Sequence, residues 1–245
     1  MKNKRVQFFL WHFFISICIA IIILLWIFNI WYPSPLAKAT SVVDIFLMLL
    51  VIDVILGPFL GFIVYKEQKK SLKFDLTIIF LLQFSALTYG LYSISQARPV
   101  WIAYNVDRFE LVRVNDLIIN NVENVNVEFK KPTWLRPKLV GVEISTNIEE
   151  KNQNLFEEVL GGISIAQRPE RYVSIDKVKT RMKLRSQTLS QLNQFNTSDN
   201  VQKILLKYPK ANAWLPLKAN AVDMVVLINK EEAEIIKVVD LRPWK

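Results

Sequence analysis

The sequence has 245 residues, room for one or two domains, with 52% hydrophobic and 22% charged residues and a formal net charge of +9. A single cysteine, Cys18, excludes an intrachain disulfide. With a single histidine, His12, it also excludes a multi-ligand His/Cys metal cluster built within the chain.

Three apolar runs near the start, 8–30, 42–64 and 76–94, reach membrane-spanning length, since about 20 apolar residues cross roughly 30 Å of hydrocarbon. The first follows Lys2, Lys4 and Arg5 but exceeds the roughly 7–15 apolar residues of a secretory signal. The bulky IWYPSP, not a small-residue cleavage site, follows it, so a retained anchor is expected. Lysine and arginine favour the cytoplasmic side. Lys66, Lys69, Lys70 and Lys73 join the second and third runs, whereas Lys38 alone lies between the first two. That asymmetry predicts a cytoplasmic N-terminus and places everything from about residue 97 outside. The expected organisation is a three-span domain over 1–96 and an outer domain over 97–245.

Residues 98–245 carry 23 Lys and Arg against 18 Asp and Glu, a net +5 interleaved with acids, so no nucleic-acid partner is expected. VWIAYNV (100–106) and RFELVRV (108–114) alternate as half-buried strands do, either with a bend at Asp107-Arg108 or as one long strand. VENVNVEF (122–129) is strand or irregular, and KLVGVEIS (138–145) is a strand. DMVVLINKEEAEIIKVVDL (223–241) reads as a hairpin turning at 229–232. Helices are expected at 154–160, stopped by Gly161-Gly162, at 170–195 on a three- and four-residue apolar stripe, and at 199–208 before Pro209. The basic side of the second, 177–185, either solvates a packed helix or meets acidic groups or lipid headgroups. The fold class is therefore a membrane protein with three transmembrane α-helices followed by an exported α+β domain with a mainly antiparallel sheet.

No P-loop, dinucleotide, zinc-protease or nucleophile-elbow motif occurs, so neither enzymatic activity nor a cofactor is expected. Asp44 and Asp53 invite an aspartyl-protease reading. Nine residues at 100° each set them on opposite sides of one helix, about 13 Å apart along its axis, too far to share a proton. Asp53 itself, in DVILGPFLGFIVYK, lies near mid-membrane depth, where an ionisable residue is a functional-site hypothesis. Gly57 and Gly61 follow at four-residue steps, a spacing that lets helices approach closely, and Pro58 predicts a kink with the Val54 carbonyl left free. This face either docks a helix of another protein or packs on spans one and three of its own chain.

DVILGPFLGFIVYK with KKSLKFDL, LLQFSALTYGLYSISQARPVWIAYNVDRFELV, IAQRPERY, WLPLKANAVDMVVLI and VVDLRPW, in this order, resemble the type IV pilin accessory protein family of the TfpX/TfpZ type. The resemblance implies a bacterial inner-membrane protein with a periplasmic C-terminal domain, one that binds type IV pilin through its transmembrane helix and periplasmic head and assists pilus biogenesis without catalysis. The alternative function is a membrane sensor or scaffold subunit acting through a partner. Candidate contact residues are Asp53, Gly57, Pro58 and Gly61 in the membrane, and Trp214, Trp244 and Arg98 outside it. Core packing for the tryptophans and a headgroup anchor for Arg98 are the competing readings.

Overall fold

In the computed structural model, which describes residues 3–119 and 122–245, the chain separates into two units. Lys2, part of the basic N-terminus, lies outside the described residues. The first unit comprises the chain up to Ile30 together with Ser41–Ala97, and the second comprises Trp31–Thr40 together with Arg98–Lys245.

In the first unit three helices are long and apolar enough to cross a membrane: Lys4–Trp31, Val42–Val64 and Leu72–Gln96. Span one is α1 (Lys4–Trp26), capped by Asn3, whose side chain accepts from Arg5 N, and it ends in a π-turn at Ile27–Trp31. Span two is broken into α3 (Val42–Leu50), a π-segment Val51–Leu56, and α4 (Gly57–Val64). Span three is α5 (Leu72–Gln96), and the short α2 (Leu36–Ala39) lies between spans one and two. Spans one and three each pack on span two and make few contacts with each other. At the basic end, Arg5 Nε donates to Phe62 O at 2.5 Å and its guanidinium lies 4.1 Å over the Phe62 ring, tying span one to span two.

The second unit is an eight-stranded mixed sheet: β1 (Pro99–Asn105), β2 (Arg108–Arg113), β3 (Lys138–Val142), β4 (Tyr172–Val173), β5 (Gln187–Thr188), β6 (Ala213–Lys218), β7 (Met224–Asn229) and β8 (Glu234–Val239). Their order is β4-β3-β1-β2-β6-β7-β8, with β5 also on β6. Only β1–β3 and β2–β6 are parallel among these pairs. The helices are α6 (Ile148–Gly161), α7 (Lys179–Arg185) and α8 (Ser198–Leu205). Gly162 takes φ 66° to close α6, a conformation glycine adopts without Cβ strain.

Two expectations give way here. The helix expected over 170–195 is broken into a 3-10 turn, β4, a second 3-10 turn, α7, β5 and a third 3-10 turn at Leu189–Gln194. Tyr172–Val173 pairs with β3, and Gln187–Thr188 pairs with β6. These ladders override the periodicity, although Val178, Met182 and Leu192 from its stripe are still buried. The other concerns 31–40. Leu36 and Ala39 sit in the sheet core with Tyr104, Leu215 and Val226, and Ala39 O accepts from Ala221 N (2.9 Å) and Val222 N (3.3 Å). Lys38 pairs with Asp240 at 2.7 Å, and Trp31 Nε1 donates to Trp134 O at 3.0 Å. The loop between spans one and two is thus part of the second unit, and the other boundary between the units falls between Ala97 and Arg98.

Burial of the sheet's tyrosines sets an alkaline limit on stability. Desolvation pushes the Tyr104 phenol up to about 12, despite the Arg181 charge nearby, and raises Tyr32 and Tyr172 above the usual tyrosine range. In the unfolded chain each ionises near pH 10, so above that pH the folded state holds more protons and stability falls as pH rises. Thermal unfolding of the protein is expected to be insensitive to these groups below pH 10 and to lose about 1.4 kcal/mol per pH unit per tyrosine above it. The tyrosinate absorbance of Tyr32, Tyr104 and Tyr172 should rise together with unfolding; ionisation of any of these three near pH 10 in the folded protein would contradict this.

Candidate functional site

The site begins with a proline. In the π-segment of span two the Gly57 N–H donates to Ile52 O, five residues back. In that register the next donor would serve Asp53 O, but the next residue is Pro58, which has no N–H. Gln83 of α5 supplies the bond instead, its Nε2 donating to Asp53 O at 3.1 Å. The carbonyl expected to be free at Val54 is therefore that of Asp53, shifted one residue by the wider turn.

Gly57 makes room for this amide, since a methyl there would lie 1.7 Å from Gln83 Nε2. A methyl on Gly61 would lie 3.0 Å from Phe8 Cε1 and 3.3 Å from His12 Nδ1 of span one. Gly57, Pro58 and Gly61 are all buried. Of the two uses weighed for this face, the geometry at the glycines is internal: spans three and one occupy the space they leave.

Asp53 opens elsewhere. Its side chain lines a cleft of about 530 Å³ bounded by a stripe of span one from Phe8 to Ile23 and a stripe of span three from Leu76 to Leu87, with Leu49 and Leu50 beside it on span two. The fifteen steps of helix from Phe8 to Ile23 give the cleft a length of roughly 22 Å. Its walls are apolar except for His12, Ser16, Asp53, Thr77 and Gln83, and His12 lies beside Gln83. Asp53 is half-buried, and its Oδ2 is shut off from solvent without a hydrogen-bond partner among the described residues. Leaving such an atom unpaired costs roughly 1–3 kcal/mol. Asp44 is exposed in the first turn of α3 and does not join it.

Two of the three outer candidates are not surface contacts. Trp214 is 0% exposed in β6, where its Nε1 donates to Thr188 O at 3.0 Å, so it is core. Arg98 is 4% exposed. Its guanidinium lies 4.7 Å from the Trp134 ring and 5.7 Å from that of Trp31, Nη2 donates to Thr133 O at 3.1 Å, and burial lowers its pKa. Trp244, 37% exposed, bonds Asp223 Oδ2 through Nε1 at 2.7 Å and borders a 330 Å³ notch with Arg185 and Gln187. Sequence reasoning passed over His12 and Gln83 as parts of the Asp53 site. Their signal was present, since each is a polar side chain inside an otherwise apolar span.

Three apolar spans around a cleft, and a second, mixed-sheet unit built partly from the loop between the first two, define a small membrane-anchored protein with a separate folded unit. The chain belongs to the fimbrial assembly protein family. It is 31% identical over 229 residues to the serogroup E1 fimbrial assembly protein of Dichelobacter nodosus, covering 89% of this chain and 88% of the relative. The serogroup I protein of the same organism is 30% identical over the same length, with the same coverage. The protein of serogroups C1 and C2 is 34% identical over 113 residues, 45% of this chain and 86% of the relative. The profile of the family described as fimbrial assembly protein FimB matches residues 2–40, which take in span one and the segment that enters the sheet core. No solved structure matches.

Proposed function

We propose that this chain is a non-enzymatic accessory protein of type IV pilus biogenesis that binds pilin and keeps it ready for assembly. It sits in the bacterial inner membrane with its N-terminus cytoplasmic and its sheet unit periplasmic. The observation that carries the reading is the half-buried Asp53 carboxyl, with an unpaired oxygen, on an apolar cleft that spans one and three leave open. A pilin's transmembrane helix laid in that cleft covers its apolar walls and brings a hydrogen-bond donor to Asp53, a stronger reason for close packing than lipid tails provide. The fimbrial assembly relatives support the pathway.

The test is site-specific photo-crosslinking in piliated cells. A photoreactive residue at Ile15 or Phe84, both on the cleft, is expected to capture pilin; one at Ile22 or Leu82, exposed but off it, is not. Equal capture from both sets, or none from the cleft, refutes the reading, and capture of a regulator instead would favour a sensor.

A further inference from the structure

In the sheet unit, FKKPTWLRPKLVGV (129–142) carries Lys130, Lys131, Arg136 and Lys138 and no acidic residue. All four bases are exposed, and none is in an ion pair among the described residues. Between them Trp134 is 67% exposed and Leu135 58%. The segment is nevertheless held. Phe129 is buried edge-on against the Trp101 and Tyr172 rings, Lys138 opens β3, and Pro132 and Pro137 each fix a backbone φ. Its middle is tied to two residues of the chain's membrane exits. Trp31 Nε1 donates to Trp134 O at 3.0 Å, and Arg98 Nη2 donates to Thr133 O at 3.1 Å with its guanidinium 4.7 Å from the Trp134 ring.

Trp31 ends the first span, and Arg98 lies two residues past Gln96, the end of the third. Two main-chain connections therefore hold the tip of this loop where spans one and three leave the apolar layer. This follows from chain connection alone and needs no particular orientation of the sheet unit. At that depth a tryptophan is at home, its ring meeting the acyl boundary and its N–H the headgroups. Lysine and arginine beside an anionic bilayer surface strengthen attachment by about fivefold each. Exposed Trp and Arg also anchor protein interfaces, but four bases with no acid among them match an anionic surface, and the bilayer is already beside them. We propose that the loop 130–138 docks on anionic phospholipid headgroups, with Trp134 and Leu135 set at the acyl boundary and the four bases on the phosphates. The sheet unit then carries a membrane contact of its own, and this holds whether or not pilin occupies the Asp53 cleft.

The experiment uses the full chain with Cys18→Ser and Leu135→Cys, the new thiol carrying an environment-sensitive fluorophore, in vesicles. In mixed phosphatidylcholine and phosphatidylglycerol, spin-labelled acyl chains are expected to quench the fluorophore at least threefold more than in phosphatidylcholine alone. Quenching by iodide in the water is expected to be at least threefold weaker. The variant Lys130→Gln, Lys131→Gln, Arg136→Gln, Lys138→Gln changes only exposed side chains outside any printed ion pair, so the melting temperature of the sheet unit is expected to hold. It is expected to abolish the difference between the two kinds of vesicle. Quenching by the acyl chains that ignores lipid charge overturns the proposal, and so does iodide access equal to that in detergent. A photoreactive residue at Leu135 is expected to yield lipid adducts in cells; capture of a protein there instead also overturns it.

Discussion

A fragment beginning at Arg98 is expected to melt far below the intact sheet unit or not to fold, and the same fragment with residues 31–40 joined through a flexible linker is expected to recover. The sheet core is incomplete without that segment. Leu36 and Ala39 belong to the cluster that holds Tyr104 and Val226, Tyr32 is fully buried, and Trp31 nearly so. Truncating one such leucine costs roughly 2–5 kcal/mol, and a large aromatic roughly 3–5. Together these approach the 5–15 kcal/mol that holds a whole domain folded. The Ala221 and Val222 N–H groups also lose their shared acceptor, Ala39 O, and Lys38 leaves Asp240. Leu36→Ala in the full chain supplies the graded version, with an expected loss of about 2–4 kcal/mol in denaturant unfolding of the sheet unit. Equal melting temperatures for the two fragments would show that the segment contributes nothing.

That segment also shows where reading the chain in order stops working. The apolar runs were legible because about 20 apolar residues in a row have few alternatives, and β1, β2, β7 and β8 were legible from alternation and turn chemistry. Trp31–Thr40 has too few residues to show a period, and its partners lie more than 60 residues away. The stretch 170–195 erred for the opposite reason. It has a helical period, yet two dipeptides within it, Tyr172–Val173 and Gln187–Thr188, were claimed by strands elsewhere in the chain. β6 went unread because AWLPLK holds a proline, which strands tolerate only in restricted positions. At the candidate site Asp53 stood out through its cost in lipid. Its neighbours His12 and Gln83 come from other spans, and only the packing at Gly57 and Gly61 shows them meeting.

Asp53→Leu is expected to make the three-span unit more resistant to heat in detergent while reducing pilin capture at Ile15 at least tenfold. Leucine removes an unpaired buried oxygen and fills the same side of the helix with apolar atoms, a gain of roughly 1–3 kcal/mol for the unliganded unit. A residue kept in spite of such a cost reports on function, because the sequence retains a local disadvantage that a binding partner removes. Asp53→Asn keeps an acceptor of the same shape and is expected to retain most of the capture. Gln83→Leu separates structure from recognition. It strips the donor from Asp53 O, the carbonyl that Pro58 leaves vacant, and is expected to lower thermal resistance by roughly 1–3 kcal/mol. Asp53 and Gln83 thus act in opposite directions on stability although both line one cleft. Were Asp53→Leu to destabilise the unit and leave capture at Ile15 unchanged, Asp53 would be a packing residue and the cleft would have to bind without it.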